Sequence, residues 1–142
     1  MKSIQIAIDG PSGAGKSTMA KLISQKLGIM YLDTGAMYRG LALKAIRQNI
    51  DTTDSEKVSE LLYDFDINIK YENGIQKVIL NGEDVSEKIR TDEVSMGASN
   101  VSAIPAVRKR LVELQQKIAC NTSVVMDGRD IGTHVLPNAD VK

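Results

Sequence analysis

Eight consecutive residues, Gly10-Pro11-Ser12-Gly13-Ala14-Gly15-Lys16-Ser17, match the pattern G-x-x-x-x-G-K-[ST], and each part of that pattern has a chemical reason. Glycines let the backbone curl until several N–H groups point inward at phosphate oxygens. A helix opening at Lys16 aims its positive end at the same place. Lys16 adds a full charge for the β and γ phosphates, and the Ser17 hydroxyl suits magnesium. Thr18 follows in the first helical turn and completes a candidate triphosphate-binding set running from Gly10 to Thr18. A Gly-rich turn between strand and helix also occurs without a ligand. Here the full pattern sits between an expected strand and an expected helix, which is the context the motif requires.

A phosphate loop does not by itself separate kinases from GTPases or motor ATPases. Two further clusters narrow the field. Asp33-Thr34-Gly35-Ala36-Met37-Tyr38-Arg39 puts a carboxylate, a hydroxyl and a guanidinium at the start of a helix. Arg39 there can fork onto a second phosphate group; it can equally be a surface arginine, with Tyr38 in the core. Asp127-Gly128-Arg129-Asp130 follows an apolar strand, where phosphate-loop proteins keep a carboxylate near magnesium. Ser17 and Asp127, the latter directly or through water, are therefore the candidate metal ligands. An acid-Gly-Arg-acid cluster is costly to bury unless each charge meets a partner. A phosphate on Arg129 and a base amine on Asp130 would satisfy it, and so would an internal ion pair. The Asn-Lys-x-Asp reader of a guanine switch does not occur in the sequence.

The elements that must hold these clusters are legible in outline. Ser3 to Ile8 alternates, is rich in Ile and predicts a central strand. Lys16 to Leu27 predicts a helix, with Met19, Ala20, Leu22, Ile23 and Leu27 at helical spacing and Gly28 as the stop. Ile29 to Leu32 predicts a second strand, leading through the loop Asp33-Thr34-Gly35 into a helix from about Met37 to Gln48. Thr53 with Glu56 predicts a capping box for a helix over about Asp54 to Tyr63. From Asp66 to Arg90 the chain alternates instead, with the turn dipeptides Asn73-Gly74 and Asn81-Gly82, and predicts two or three short antiparallel strands. Helices are expected from Thr91 to Ala103 and from Pro105 to about Ala119, Pro105 suiting a first turn. Ser123 to Met126 predicts a third core strand, and another begins at Ala139.

Strands alternating with helices imply an α/β fold: a parallel sheet of the P-loop NTPase type with flanking helices, plus a small antiparallel β insert. The chain reads as one core over residues 1–142 with the insert at about 64–93. Ligands of such sheets bind beyond the carboxyl ends of the strands. Gly10, Asp33 and Asp127 all follow strands, so their loops should open onto one rim.

Composition excludes several classes. Lys plus Arg balance Asp plus Glu at 18 each, so no whole-surface field exists for nucleic acid or anionic membrane. Cys120 is the single cysteine and cannot form an internal disulfide; it reads as a small hydrophobe at a helix end. No Cys/His cluster has zinc-ligand spacing. No apolar run approaches the roughly 20 residues of a membrane span, and Asp9 interrupts the start too soon for a signal peptide. The expectation is a cytoplasmic monomer. His134, the sole histidine, reads as structural or surface, and Lys109 and Arg110 as solvent-facing.

D-T-G-A-M-Y-R after the phosphate loop, the Ser99 to Arg108 segment and D-G-R-D-I-G-T resemble bacterial cytidylate kinase, within the P-loop nucleoside monophosphate kinases. The similarity runs along essentially all 142 residues. It implies that ATP is the donor, magnesium the cofactor, and CMP or dCMP the acceptor. It further implies that Tyr38, Arg39 and Arg129 hold the phosphate of CMP, that Ser99, Arg108 and Asp130 read the cytosine, and that Thr34 lies close to the monophosphate. Lys16, Arg39 and Arg129 would then be the catalytic residues. The family pattern continues beyond Lys142 with further sheet, a lid and phosphoryl-clamping arginines, so a C-terminal part is absent from these residues. The alternatives are a kinase of the same fold acting on another monophosphate or a metabolite, and a chain that binds nucleotide without turnover.

Overall fold

The computed structural model describes residues 4–10, 15–72, 75–128 and 131–142. Its elements run β1 (Gln5–Asp9), α1 (Lys16–Leu27), β2 (Met30–Asp33), α2 (Thr34–Arg47), α3 (Ser55–Glu60), β3 (Ile67–Glu72), β4 (Ile75–Leu80), β5 (Glu83–Asp84), α4 (Asp92–Ser102), α5 (Pro105–Asn121) and β6 (Val124–Gly128). Short 3-10 turns cover Leu61–Asp64 and Lys88–Arg90, and a π-type turn covers Ile131–Val135. The chain forms two compact units, one of Met1–Thr34 with Val112–Lys142 and one of Gly35–Leu111.

In the first unit β1, β6 and β2 make a parallel sheet in that order. Their residues are apolar on both faces, as strands in the middle of a covered parallel sheet must be. Ile6, Ala7, Tyr31, Leu32, Val124, Val125 and Met126 are all buried. Helix α1 meets this sheet through Ala20, which clusters with Ile6, Tyr31 and Val125, while Ile23 packs alongside. The rest of its expected apolar stripe is not core: Met19, Leu22 and Leu27 are 57%, 52% and 56% exposed. Gly28 ends α1 at φ 65°, its amide donating to the Ser24 carbonyl, a left-handed stop that suits glycine. Val141 bridges in parallel to Ile6, so the strand expected from Ala139 begins at the free side of β1.

Strand β2 runs into α2 with no intervening loop, the helix starting at Thr34 rather than near Met37. The Thr34 hydroxyl donates to the Asp127 carbonyl at 3.0 Å, so its side chain is satisfied by β6 and does not hold the local backbone in a turn.

The second unit carries the antiparallel sheet β3-β4-β5. β3 and β4 pair from Ile67↔Leu80 to Glu72↔Ile75; the Asn73-Gly74 turn between them lies outside the described residues. β4 and β5 close over Asn81 at φ 46° and Gly82 at φ 87°, the two left-handed residues that a tight hairpin turn demands. The Asn81 amide donates to the Asp64 carbonyl at 2.7 Å, which ties the turn to the chain entering β3.

Asp54, not Thr53, caps α3, accepting from the Lys57 amide at 3.2 Å. Thr53 is already committed, its hydroxyl donating to Asp51 Oδ1 at 2.7 Å. The expected longer helix tightens after Glu60 into the 3-10 turn, where buried Lys44 donates to the Leu61 carbonyl at 3.2 Å and pairs with Asp64. Arg47 and Lys88 both hold Glu83, drawing its carboxyl down to about 2. Cys120 does sit in the last turn of α5, but it is exposed rather than packed.

Gly97 of α4 shows how closely these helices approach. A Cβ there would lie 3.1 Å from the Ala42 Cβ and 3.2 Å from Thr52 Cγ2. Gly97→Val is therefore expected to destabilise the chain by about 1–3 kcal/mol through overpacking. Urea denaturation would check it, and an unchanged midpoint would mean that the helices can part without loss.

Candidate functional site

The register of the parallel sheet builds the first part of the site. Ile8 and Asp33 both pair with Asp127, and Asp9 pairs with Gly128. The carboxyl ends of β1, β6 and β2 therefore stand level at one rim. Gly15 at φ 81° precedes α1; Lys16 is half-buried, while Ser17 and Thr18 are exposed in the first turn. Pro11, Ser12, Gly13 and Ala14 lie outside the described residues.

Asp127 is the buried acid of this rim, at 5% exposure. Burial pushes its carboxyl above the usual aspartate range and the neighbouring Asp33 pushes it further, while the Tyr31 phenol and Lys16 pull it back. The phenol donates to Asp127 Oδ2 at 3.0 Å. Two acids side by side with a lysine facing one of them form a charge-frustrated arrangement that a hard cation would relieve. The oxygen donors are few. Among the described residues no group of three or more His, Cys, Asp or Glu is placed to hold a metal. A magnesium-type ion takes one or two carboxylates and completes its shell with phosphate and water, and Asp127 with Ser17 would offer it one carboxylate and one hydroxyl.

Both glycines of D-G-R-D-I-G-T are close-approach positions. A Cβ on Gly128 would strike the Thr34 hydroxyl and lie 3.0 Å from Ile131 Cδ1. A Cβ on Gly132 would lie 3.1 Å from Asp9 Oδ2. Asp9 is the residue that sequence reasoning missed: its carboxylate accepts from the Ile131 amide at 2.5 Å and the Gly132 amide at 2.9 Å. The only sequence signal was a carboxylate ending an apolar strand just before the phosphate loop.

Four other predicted site residues belong to the second unit. Tyr38 and Arg39 follow one another on α2, both half-buried. Burial raises the Tyr38 phenol, and Arg108 partly offsets this, so the structure brings Tyr38 and Arg108 into electrostatic range. Arg108 is exposed in the first turn of α5, and Ser99 is exposed on α4. Arg129 and Asp130 lie outside the described residues, as does the side chain of His134.

The parallel sheet flanked by helices, with a strand–glycine–Lys-Ser–helix passage at its rim, defines the α/β phosphate-loop kinase class of fold. The family model described as "Cytidylate kinase" matches residues 6–142. The chain is 58% identical over 142 residues to the "Cytidylate kinase" of Caldicellulosiruptor bescii, covering 100% of this chain and 63% of the relative. It is 55% identical over 138 residues to that of Pelotomaculum thermopropionicum, covering 96% and 61%. Against the Bacillus subtilis protein of the same name it is 52% identical over 141 residues, covering 99% and 63%. This chain belongs to the cytidylate kinase family, and it spans a little under two thirds of the length of these curated relatives.

The raised Asp127 carboxyl has a consequence for stability. It holds its proton more firmly folded than unfolded, so ionising it as pH rises opposes folding. The penalty is absent below the ordinary aspartate range and complete above the raised value. Asp127→Asn is expected to raise the melting temperature of the metal-free chain at pH 8 and to change it little at pH 4. A gain equal at both values would show that no charge penalty resides at Asp127.

Proposed function

We propose that this protein transfers the γ-phosphoryl group of ATP to the phosphate of CMP, and of dCMP, giving the diphosphate and ADP. The observation that carries the reading is the rim, where the level carboxyl ends of β1, β6 and β2 bring Asp9, Asp127 and Asp33 together with Lys16 within electrostatic range of Asp127. Family membership supports cytidylate as the acceptor.

In this reading Gly10 to Thr18 bind ATP, with Lys16 on the β and γ phosphates. Tyr38, Arg39 and Arg129 hold the phosphate of CMP, and Thr34 lies close to it. Ser99, Arg108 and Asp130 read the ring. Cytosine's exocyclic amine donates, which suits the Asp130 carboxylate. Its N3 and O2 accept, which suits Arg108 and Ser99. Uracil reverses the pattern at N3 and at the amine position and leaves groups unpaired. The acceptor oxygen is already anionic, so the step needs no general base. Catalysis is then orientation and charge neutralisation by Lys16, Arg39 and Arg129. Ser17 and Asp127 would hold magnesium, which when bound offsets phosphate charge.

Calorimetry of the chain with CMP, UMP and AMP under one set of conditions tests the acceptor. CMP is expected to bind at least about tenfold more tightly than either, and Asp130→Ala to bring CMP and UMP close together by removing the partner of the amine. A preference for AMP would overturn the base assignment. In the longer protein Lys16→Ala is expected to lower kcat by about a hundredfold or more; near-normal turnover would refute its role.

A further inference from the structure

Asp9 joins two stretches of chain that lie far apart in sequence. It ends β1 and directly precedes Gly10, the first residue of the phosphate loop. Each of its carboxylate oxygens accepts one backbone N–H, from Ile131 at 2.5 Å and from Gly132 at 2.9 Å. Hydrogen bonds to an ionised acceptor are about twice as strong as neutral ones, and a pair of them fixes orientation as well as distance. Asp9 is an exposed residue, so no burial forces this geometry on it. The partner backbone is shaped to receive it, since any side chain at position 132 would crowd Oδ2 at 3.1 Å.

The other flank of the same segment is equally constrained. Gly128 is in register with Asp9, and the preceding carbonyl, that of Asp127, accepts the Thr34 hydroxyl at 3.0 Å. Ile131, 1% exposed, anchors its side chain in the core. The Asp127 carbonyl is thus held by Thr34, and the Ile131 and Gly132 amides by Asp9.

We infer that Asp9 is a positioning residue: it ties the strand end that launches the phosphate loop to the backbone amides of Ile131 and Gly132, and CMP affinity depends on that tie. Its consequence for nucleotide rests on the function proposed above; the tie itself does not. Without the carboxylate, the amides of residues 131 and 132 lose their acceptors.

The test uses the whole chain and three variants. Asp9→Ala is expected to speed amide exchange at Ile131 and Gly132 by at least about tenfold and to weaken CMP by a similar factor, a tenfold change being an ordinary size for one lost interaction. Asp9→Asn keeps an acceptor oxygen and should recover part of both. Gly132→Ala leaves the acid in place but crowds it, and should reproduce the loss; it keeps the test open should Asp9→Ala fail to fold. A purely structural role is separated by a double-mutant cycle. If Asp9 acts through Asp130, Asp9→Ala adds almost nothing to the CMP loss of Asp130→Ala. Additive losses, or unchanged CMP affinity in Asp9→Ala, would overturn the inference. If the unaltered chain binds no CMP, the proposed function fails on its own account. Exchange at Ile131 and Gly132 then decides alone, and unaltered exchange in both Asp9→Ala and Gly132→Ala would overturn the tie.

Discussion

Three carboxylates end three adjacent parallel strands, and the first unit is organised around living with them. Register makes this unavoidable: once β6 lies between β1 and β2, Asp9, Asp33 and Asp127 come to one rim. The Asp9 carboxylate accepts two backbone amides. Asp127 is buried, takes the Tyr31 phenol and faces Lys16.

The second unit meets a different demand. Its helices and its small sheet present polar groups wherever elements end, and long side chains satisfy them. Lys44 reaches from α2 to the Leu61 carbonyl and Asp64, occupying the carboxyl end of a 3-10 turn where a cation is favoured. Arg47 forks onto Glu83 with bonds of 2.7 and 2.9 Å. Such exposed pairs contribute little stability individually; their value lies in setting which segment meets which. Tyr38 and Arg39 ride on the helix so anchored.

Much of this was legible because it is local. The Gly28 stop, the Asn81-Gly82 turn and Pro105 at the start of α5 are each written within a few residues. The common rim followed from topology alone, since parallel strands must point their carboxyl ends the same way. What escaped depended on partners distant in sequence or on competition between neighbours. The Asp9 tie spans 122 and 123 residues and has no periodic signature. Thr53 looked like a cap until Asp51 claimed its hydroxyl and left Asp54 to do the work. Met19, Leu22 and Leu27 have core-like spacing, yet only Ala20 of α1 is fully covered. Periodicity says which face is apolar, not how much of it another element will meet.

The space above Asp9 also constrains how such a sequence can drift. A side chain at position 132 would crowd the carboxylate at position 9, because a methyl there would sit 3.1 Å from an oxygen that must then give way. Removing the acid first would empty the space for a methyl, whereas adding the methyl first would press it against the acid. A glycine that looks like a flexible link in the motif is, in this chain, the footprint of an aspartate near its other end.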